Sequence, residues 1–196
     1  MPKHDTLLQR VRACQLCQQL PLGPNPILQC HPDAKILIAG QAPGRITHHK
    51  NRPFDDPSGE RLRNWLGVDQ ATFYDETKFA IIPMAFCFPG TYSKAQGKNG
   101  DRPPPAICAD TWRQPILDTL PNLELTLVIG RYAMDWHLKP EKKMTLTQIV
   151  QQWADYLPSQ LPLPHPSPRN NRWLKNNPWF ESEVLPTLQA SISRIL

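Results

Sequence analysis

Three groups of residues in this sequence have the types and spacing for chemistry. The first is His165, set between Pro164 and Pro166 and followed by Ser167, Arg169, Asn170, Asn171 and Arg172. Flanking prolines restrict a histidine's backbone and keep it out of a helix interior. Its ring can then present one nitrogen as a fixed donor, and the polar residues after it suit phosphate oxygens and base edges. The same stretch also reads as a solvated loop before a helix. The second group is Gly40, Gln41, Ala42, Pro43 and Gly44, where two glycines and a proline fix a tight turn with exposed backbone N–H groups and Gln41 at its lip. It lacks both the glycine spacing of a dinucleotide fingerprint and the lysine of a phosphate loop, so no nucleotide cofactor is expected. An ordinary strand-to-loop turn would look alike.

The third group is thiols. Cys14 and Cys17 form a C-x2-C pair, Cys87 and Cys108 follow later, and Cys30 is left over. Five is an odd number, which argues against a disulfide framework. Four converging thiolates would suit an iron–sulfur cluster or an all-cysteine zinc site; unliganded buried cysteines are the plain alternative.

Short elements must position these groups. The apolar run Ala34–Ala39 ending at Gly40 reads as a buried strand, Phe79–Phe86 as a second one interrupted by Pro83, and Leu123–Ile129 as a third. Leu161–Pro164 suits a short terminal strand. Helical spacing predicts helices over about Thr6–Gln19, Gly59–Gly67 with Ser58 as N-cap, Ile107–Leu120 broken near Pro115, Arg131–His137, Leu146–Tyr156 and Phe180–Leu196. Thr91–Pro105, with two glycines and three consecutive prolines, reads as an exposed loop. Strands alternating with helices point to an α/β sandwich with a largely parallel sheet, whose ligands collect beyond the strands' carboxyl ends. The loops after Ala39, Phe86, Ile129 and Leu163 are therefore where a site is expected. Trp65, Trp112 and Trp153 fall on helical faces as core residues, while Trp173 and Trp179 could brace the loop after His165.

At 196 residues the chain has the size of one domain, 1–196, and its 40% hydrophobic content supports a core. No apolar run approaches the ~20 residues of a membrane span, and the first residues lack a secretory or transit pattern; a cytoplasmic protein with no membrane partner is expected. The 23 prolines exceed twice the ~5% average without any repeat, which reads as loop rigidification. A net charge of +5 favours an anionic partner.

Taken together, the motifs resemble the uracil-DNA glycosylase superfamily, most closely its iron–sulfur-containing family 4. The family's first motif is similar to G-E-A-P-G followed by R-P-F and A-G; here Gly40–Gly44, Arg52-Pro53-Phe54 and Ser58-Gly59 stand in that order. Its second motif begins H-P-S or H-P-A, as His165-Pro166-Ser167 does, and the four cysteines occupy the places of its cluster ligands. The resemblance spans about residues 10 to 175.

It implies a three-layer α/β/α sandwich around a mainly parallel four-stranded sheet, and hydrolysis of the N-glycosidic bond of a flipped-out damaged base in DNA, uracil or another deaminated base. Phe54 would be the stacking platform with Ala42 beside it, His165 the donor to the departing base, and Ser167, Arg169, Asn170, Asn171 and Arg172 the DNA-contacting segment. Cys14, Cys17, Cys87 and Cys108 would hold a structural 4Fe-4S cluster, with zinc or an empty site as alternatives.

The sequence departs from the pattern in three places. Gln41 stands for a glutamate and could orient water but not act as a general base; Thr47-His48 stands for an acidic pair; Pro83 stands for the asparagine that reads uracil's edge. Asn51 or Gln41 could replace that amide. Asp55 and Asp56 are the nearest remaining carboxylates, as water activators or as helix caps. With no lysine placed for a Schiff base, a monofunctional, monomeric DNA glycosylase is expected, against a noncatalytic reader of damaged or single-stranded DNA and a hydrolase of free nucleosides.

Overall fold

The innermost strand is β1, Ile36–Ala39, every residue of which is buried. An uninterrupted aliphatic run of this kind needs cover on both faces, and a parallel sheet between helices supplies it. In the computed structural model, which describes every residue except Met1, Lys94 and Gln96 and only the backbone of Pro2 and Lys3, β1 pairs with β2, Phe79–Ile81, on one side and with β3, Leu125–Ile129, on the other. The fourth strand, β4, Gln160–Leu163, pairs with β3. All pairings are parallel and the order is β2-β1-β3-β4. Ile38 stands between Ile81 and Leu127, and Val128 opposite Pro162. Pro162 is tolerated because β4 is an edge strand with only one side to pair. The outer edge of β2 is covered by Gln29, which bridges Ile81 antiparallel.

The second strand is shorter than its apolar run predicts: it ends at Ile81, and the chain from Ile82 to Phe86 is buried without being strand. Pro83 cannot donate to a ladder, so pairing ends ahead of it.

Helices flank the sheet. They are α1 (Pro2–Arg12), α2 (Arg45–Lys50), α3 (Pro57–Leu66), α4 (Gln70–Phe73), α5 (Ala106–Cys108), α6 (Gln114–Leu117), α7 (Arg131–His137), α8 (Leu146–Gln151), α9 (Trp153–Tyr156), α10 (Asn171–Asn176) and α11 (Leu185–Ile195). The first helix starts earlier and stops sooner than Thr6–Gln19, because the chain must turn at Cys14–Cys17. The N-cap of α3 is Asp56, not Ser58: the Asp56 carboxylate accepts from the Gly59 N–H at 2.9 Å. Two π-helical segments, Ala109–Arg113 and Phe180–Val184, each end two residues before a proline, Pro115 and Pro186. A proline ring clashes with the carbonyl four residues back, and a widened turn moves that carbonyl aside.

One contiguous hydrophobic cluster joins the sheet to Leu62, Trp65, Leu66, Ile116, Leu188 and Ile192 from the helices. Trp65 and Trp112 are core residues as predicted, and Trp153 packs half-buried against the same cluster. Among the described residues no helix is long and apolar enough to cross a membrane.

Candidate active site

The carboxyl ends of β1, β2 and β4 open onto a cleft of about 600 Å³. Its walls include Gly40–Thr47 after β1, Ile81 and Pro83 at the end of β2, and His165 and Ser167–Asn170 after β4. The loop after β3 takes no part, because Gly130 passes straight into α7.

Phe54 and His165 both line this cleft. Phe54 sits in the left-handed region at φ 53°, a conformation a bulky residue holds only when its surroundings enforce it. Three contacts do so. A side chain at Gly59 would overlap the Phe54 carbonyl oxygen, so only glycine lets α3 pass there. A Cβ on Gly40 would lie 3.4 Å from the Phe54 ring, so the bare backbone of the first motif forms the seat under the aromatic face. The ring also stands edge-on to Phe73, 6.4 Å between centroids at 89°, a favourable aromatic geometry. Just before it, the Tyr74 hydroxyl donates to the Pro53 carbonyl at 3.0 Å.

His165 is half-buried and oriented by its own loop. The Ser167 N–H donates to its Nδ1 at 3.1 Å, and the Asn170 side-chain amide donates to its carbonyl at 2.8 Å. A ring that accepts at Nδ1 carries its proton on Nε2, which makes Nε2–H the available donor. Burial lowers the imidazole pKa below its ordinary value; the charges of Asp56 and Asp101 push the other way and Arg169 adds to the lowering. Arg61 donates from Nη1 to the Ser167 carbonyl at 3.3 Å, tying this loop to α3 and hence to the element that fixes Phe54.

Gln41 is half-buried at the turn, and its amide donates to the Arg102 carbonyl at 3.4 Å. The turn itself is anchored by Met84 and Ala85, whose N–H groups donate to Gly40 and Gln41. Ala42 lines the cleft beside it. Asn51 does not: it is exposed, with φ 53°, as the C-cap of α2. Ser167, Arg169 and Asn170 line the cleft, whereas Asn171 and Arg172 lie exposed in the first turn of α10, outside its walls. Trp173 and Trp179 pack edge-on against each other at 5.8 Å and against Phe180, with the Trp173 indole donating to Thr147, so their ring contacts tie α10 to its neighbours instead of bracing the His165 loop itself.

Sequence reading missed the contribution of the Thr91–Pro105 loop. It folds back over the Gly40–Gly44 turn and brings Asn99, Gly100 and Asp101 into the cleft wall. Thr91 and Asp101 pair as an isolated bridge, and the Thr91 hydroxyl donates to one Asp101 oxygen at 3.1 Å. Arg169 lies against Gly100, so that a side chain there would meet its guanidinium at 2.9 Å. Asp101 is therefore a carboxylate in the cleft whose charge reaches His165, while Asp56, also in the wall, spends an oxygen on the α3 cap. The signal was present in the sequence: a polar loop whose two ends carry Cys87 and Cys108 must return to where it began if those cysteines meet.

They do meet. Cys14, Cys17, Cys87 and Cys108 all line one small apolar pocket with Pro24, Pro26, Phe86 and Trp112. Burial raises the Cys17 thiol pKa and pushes Cys87 up to about 11 and Cys108 to about 12. One backbone N–H points at sulfur: Asn25 donates to Cys87 at 3.3 Å. Cys30 stays apart in the core, its thiol pushed up to about 12. Among the described residues no three His, Cys, Asp or Glu side chains are arranged to hold a metal ion.

The family model of the uracil DNA glycosylase superfamily matches residues 28–189. The chain belongs to that superfamily. The match begins beyond Cys14 and Cys17, so membership does not depend on that pair. A solution NMR structure of a candidate uracil DNA glycosylase from Methanosarcina acetivorans is similar over 83% of this chain and 93% of that one, at 17% identity and a TM-score of 0.49.

Two measurements test the geometry of this superfamily member. Gly→Ala inside a helix ordinarily stabilises by about 1 kcal/mol; Gly59→Ala is expected to have the opposite sign, lowering the urea midpoint, because the methyl overlaps Phe54. His165 should titrate in a histidine-resolved NMR experiment below the ~6.5 of a free imidazole. Since the unfolded chain then takes up that proton first, acidification through this range should destabilise the fold, and His165→Gln should flatten that part of the pH–stability curve.

Proposed function

We propose that this protein is a monofunctional DNA glycosylase that hydrolyses the N-glycosidic bond of a flipped-out deaminated base, with uracil the first substrate to test. The observation that carries this reading is the convergence of the Phe54 ring and the His165 imidazole on one cleft. A base in a duplex is out of reach of any such group, so the nucleotide must rotate out and rest in the cleft, with Phe54 as the apolar face for its ring.

Cleavage moves the bonding pair onto the base, leaving an anionic leaving group and a cationic sugar. The Nε2–H of a neutral His165 then donates to the base oxygen where negative charge gathers, an interaction stronger in the transition state than before it. A water attacks the sugar carbon and passes a proton to a carboxylate. Asp101 takes that part, because it is the cleft carboxylate not committed to a helix cap, and its charge also steadies the cationic sugar. Gln41 orients the water. Pro83 contributes only an apolar ring to the wall, so discrimination among bases falls to the polar groups around it. Arg169, together with Arg45 at the start of α2 and Arg172 on α10, provides cations for backbone phosphates.

The four cysteines of the apolar pocket are proposed to hold an iron–sulfur cluster. Metal ligation takes the protons off such thiols, and the Asn25 N–H aimed at the Cys87 sulfur suits a thiolate-bound cluster. Its chemistry here would be structural, fastening the α1 turn and the Thr91–Pro105 loop beside the cleft.

Incubation with uracil-, hypoxanthine- and xanthine-containing oligonucleotides, followed by cleavage of abasic sites, measures the activity directly. His165→Ala should lose about 10²–10³ in rate and Asp101→Asn should lower kcat with little change in KM; binding without excision by the wild type would leave a noncatalytic reader instead. The purified protein should be brown with stoichiometric iron and sulfide, and Cys87→Ser should bleach it; colourless, zinc-loaded protein would overturn the cluster assignment.

A further inference from the structure

Among the described residues Arg113 is the largest completely buried side chain, at 0% exposure. Its guanidinium donates from Nη1 to the carbonyls of Ile82 and Pro83, at 3.0 and 3.1 Å, and from Nε to His137 Nε2 at 3.0 Å, with Nη2 against the same ring nitrogen. It also lies over the Trp136 ring, 5.0 Å from the centroid. Among the described residues no carboxylate pairs with it. His137 supplies no charge either: it accepts at Nε2, and burial together with Arg113 lowers its pKa to about 3. Arginine keeps its proton in proteins, and a buried cation without a counter-charge is strongly unfavourable. Carbonyls and an aromatic face soften that cost without neutralising the charge.

The ionisable group whose negative form would favour the Arg113 cation is Cys108. Cys108 and Arg113 bracket the π-helical segment, Cys108 preceding it and Arg113 closing it, and Cys108 is one of the four thiols of the apolar pocket. The two carbonyls that Arg113 holds belong to the buried segment after β2. That segment puts Pro83 in the wall of the base cleft, and Ala85, Phe86 and Cys87 in the wall of the cysteine pocket.

We propose that Arg113 is the counter-charge of a metal-loaded four-cysteine centre and the positioning residue through which that centre holds the cleft wall at Pro83. This rests on the reading of the cysteines as cluster ligands. Ligation turns neutral thiols into thiolates and makes the pocket anionic. The Cys108 thiolate then supplies the negative charge that favours the guanidinium, while the Arg113 Nη1 bonds keep the Ile82 and Pro83 carbonyls in place. Loss of the metal would leave both the cation and the cleft wall unsupported.

The test uses the protein as purified with its metal. Wild type, Arg113→Lys and Arg113→Met are compared for iron and sulfide content, for decay of the visible absorbance under a chelator, for reduction potential by protein-film voltammetry, and for KM and kcat on a uracil oligonucleotide. Arg113→Met should lose its colour at least about tenfold faster, as removal of one partner of a buried charge pair implies, and its reduction potential should fall, because a nearby cation favours the more negative reduced state. Arg113→Lys keeps the charge without the two-carbonyl fork, so it should retain the wild-type potential and raise KM; it also covers the case in which the methionine variant does not fold. A loaded Arg113→Met protein with wild-type potential and chelator resistance would overturn the proposal, as would a lysine variant whose potential falls in the same way. Wild-type protein without iron or sulfide would instead overturn the cluster reading beneath it.

Discussion

All four strands run in one direction, and the site depends on that constraint. Parallel strands deliver their carboxyl ends to a single edge of the sheet, so the turn after β1, the end of β2 and the loop after β4 face one another although more than a hundred residues separate Gly40 from His165. The last step of the convergence is steric. The approach of α3 to the Phe54 backbone leaves room for glycine alone at position 59, and this fixes the aromatic face against Gly40. Arg61, from the same helix, then ties down the histidine loop. One short helix thus sets both partners of the proposed reaction.

Prolines do much of the positioning. Pro83 ends β2 where the cleft needs a bare wall, Pro164 and Pro166 hold the chain extended around His165, and Pro115 and Pro186 coincide with widened helical turns. The turn before Pro115 carries Arg113 into the interior, so a backbone restriction in one helix becomes a buried charge behind the cleft. This is the rigidification that the high proline content implied, applied at the loops and helix ends where a site has to be held.

The low-dielectric interior sorts protonation states. Burial favours the neutral forms of His165 and His137 and the protonated thiols of Cys17, Cys87 and Cys108, while Arg113 is, among the described residues, the one buried guanidinium. For His165 neutrality is useful, because a single fixed N–H aimed at a developing anion is stabilising without the cost of burying an imidazolium.

The sequence by itself determined the sheet, its parallel sense, the glycine turn, the histidine between prolines and the pairing of Cys14 and Cys17. Each is written in local residue types, in aliphatic runs, ring-restricted backbones or close spacing. His165 was nominated on the same grounds and Phe54 by the family resemblance, and the cleft they share lies at the strand ends, as predicted. What it could not decide were relations between distant segments. Tertiary structure alone turned Asn51 out to a helix cap, committed Asp56 to α3 and brought Asp101 into the wall. It also gathered four thiols into one pocket and buried Arg113 behind Pro83. The physical reason is the same in each case: a side chain's direction and burial follow from the packing of whole elements, and no short window of sequence contains that information.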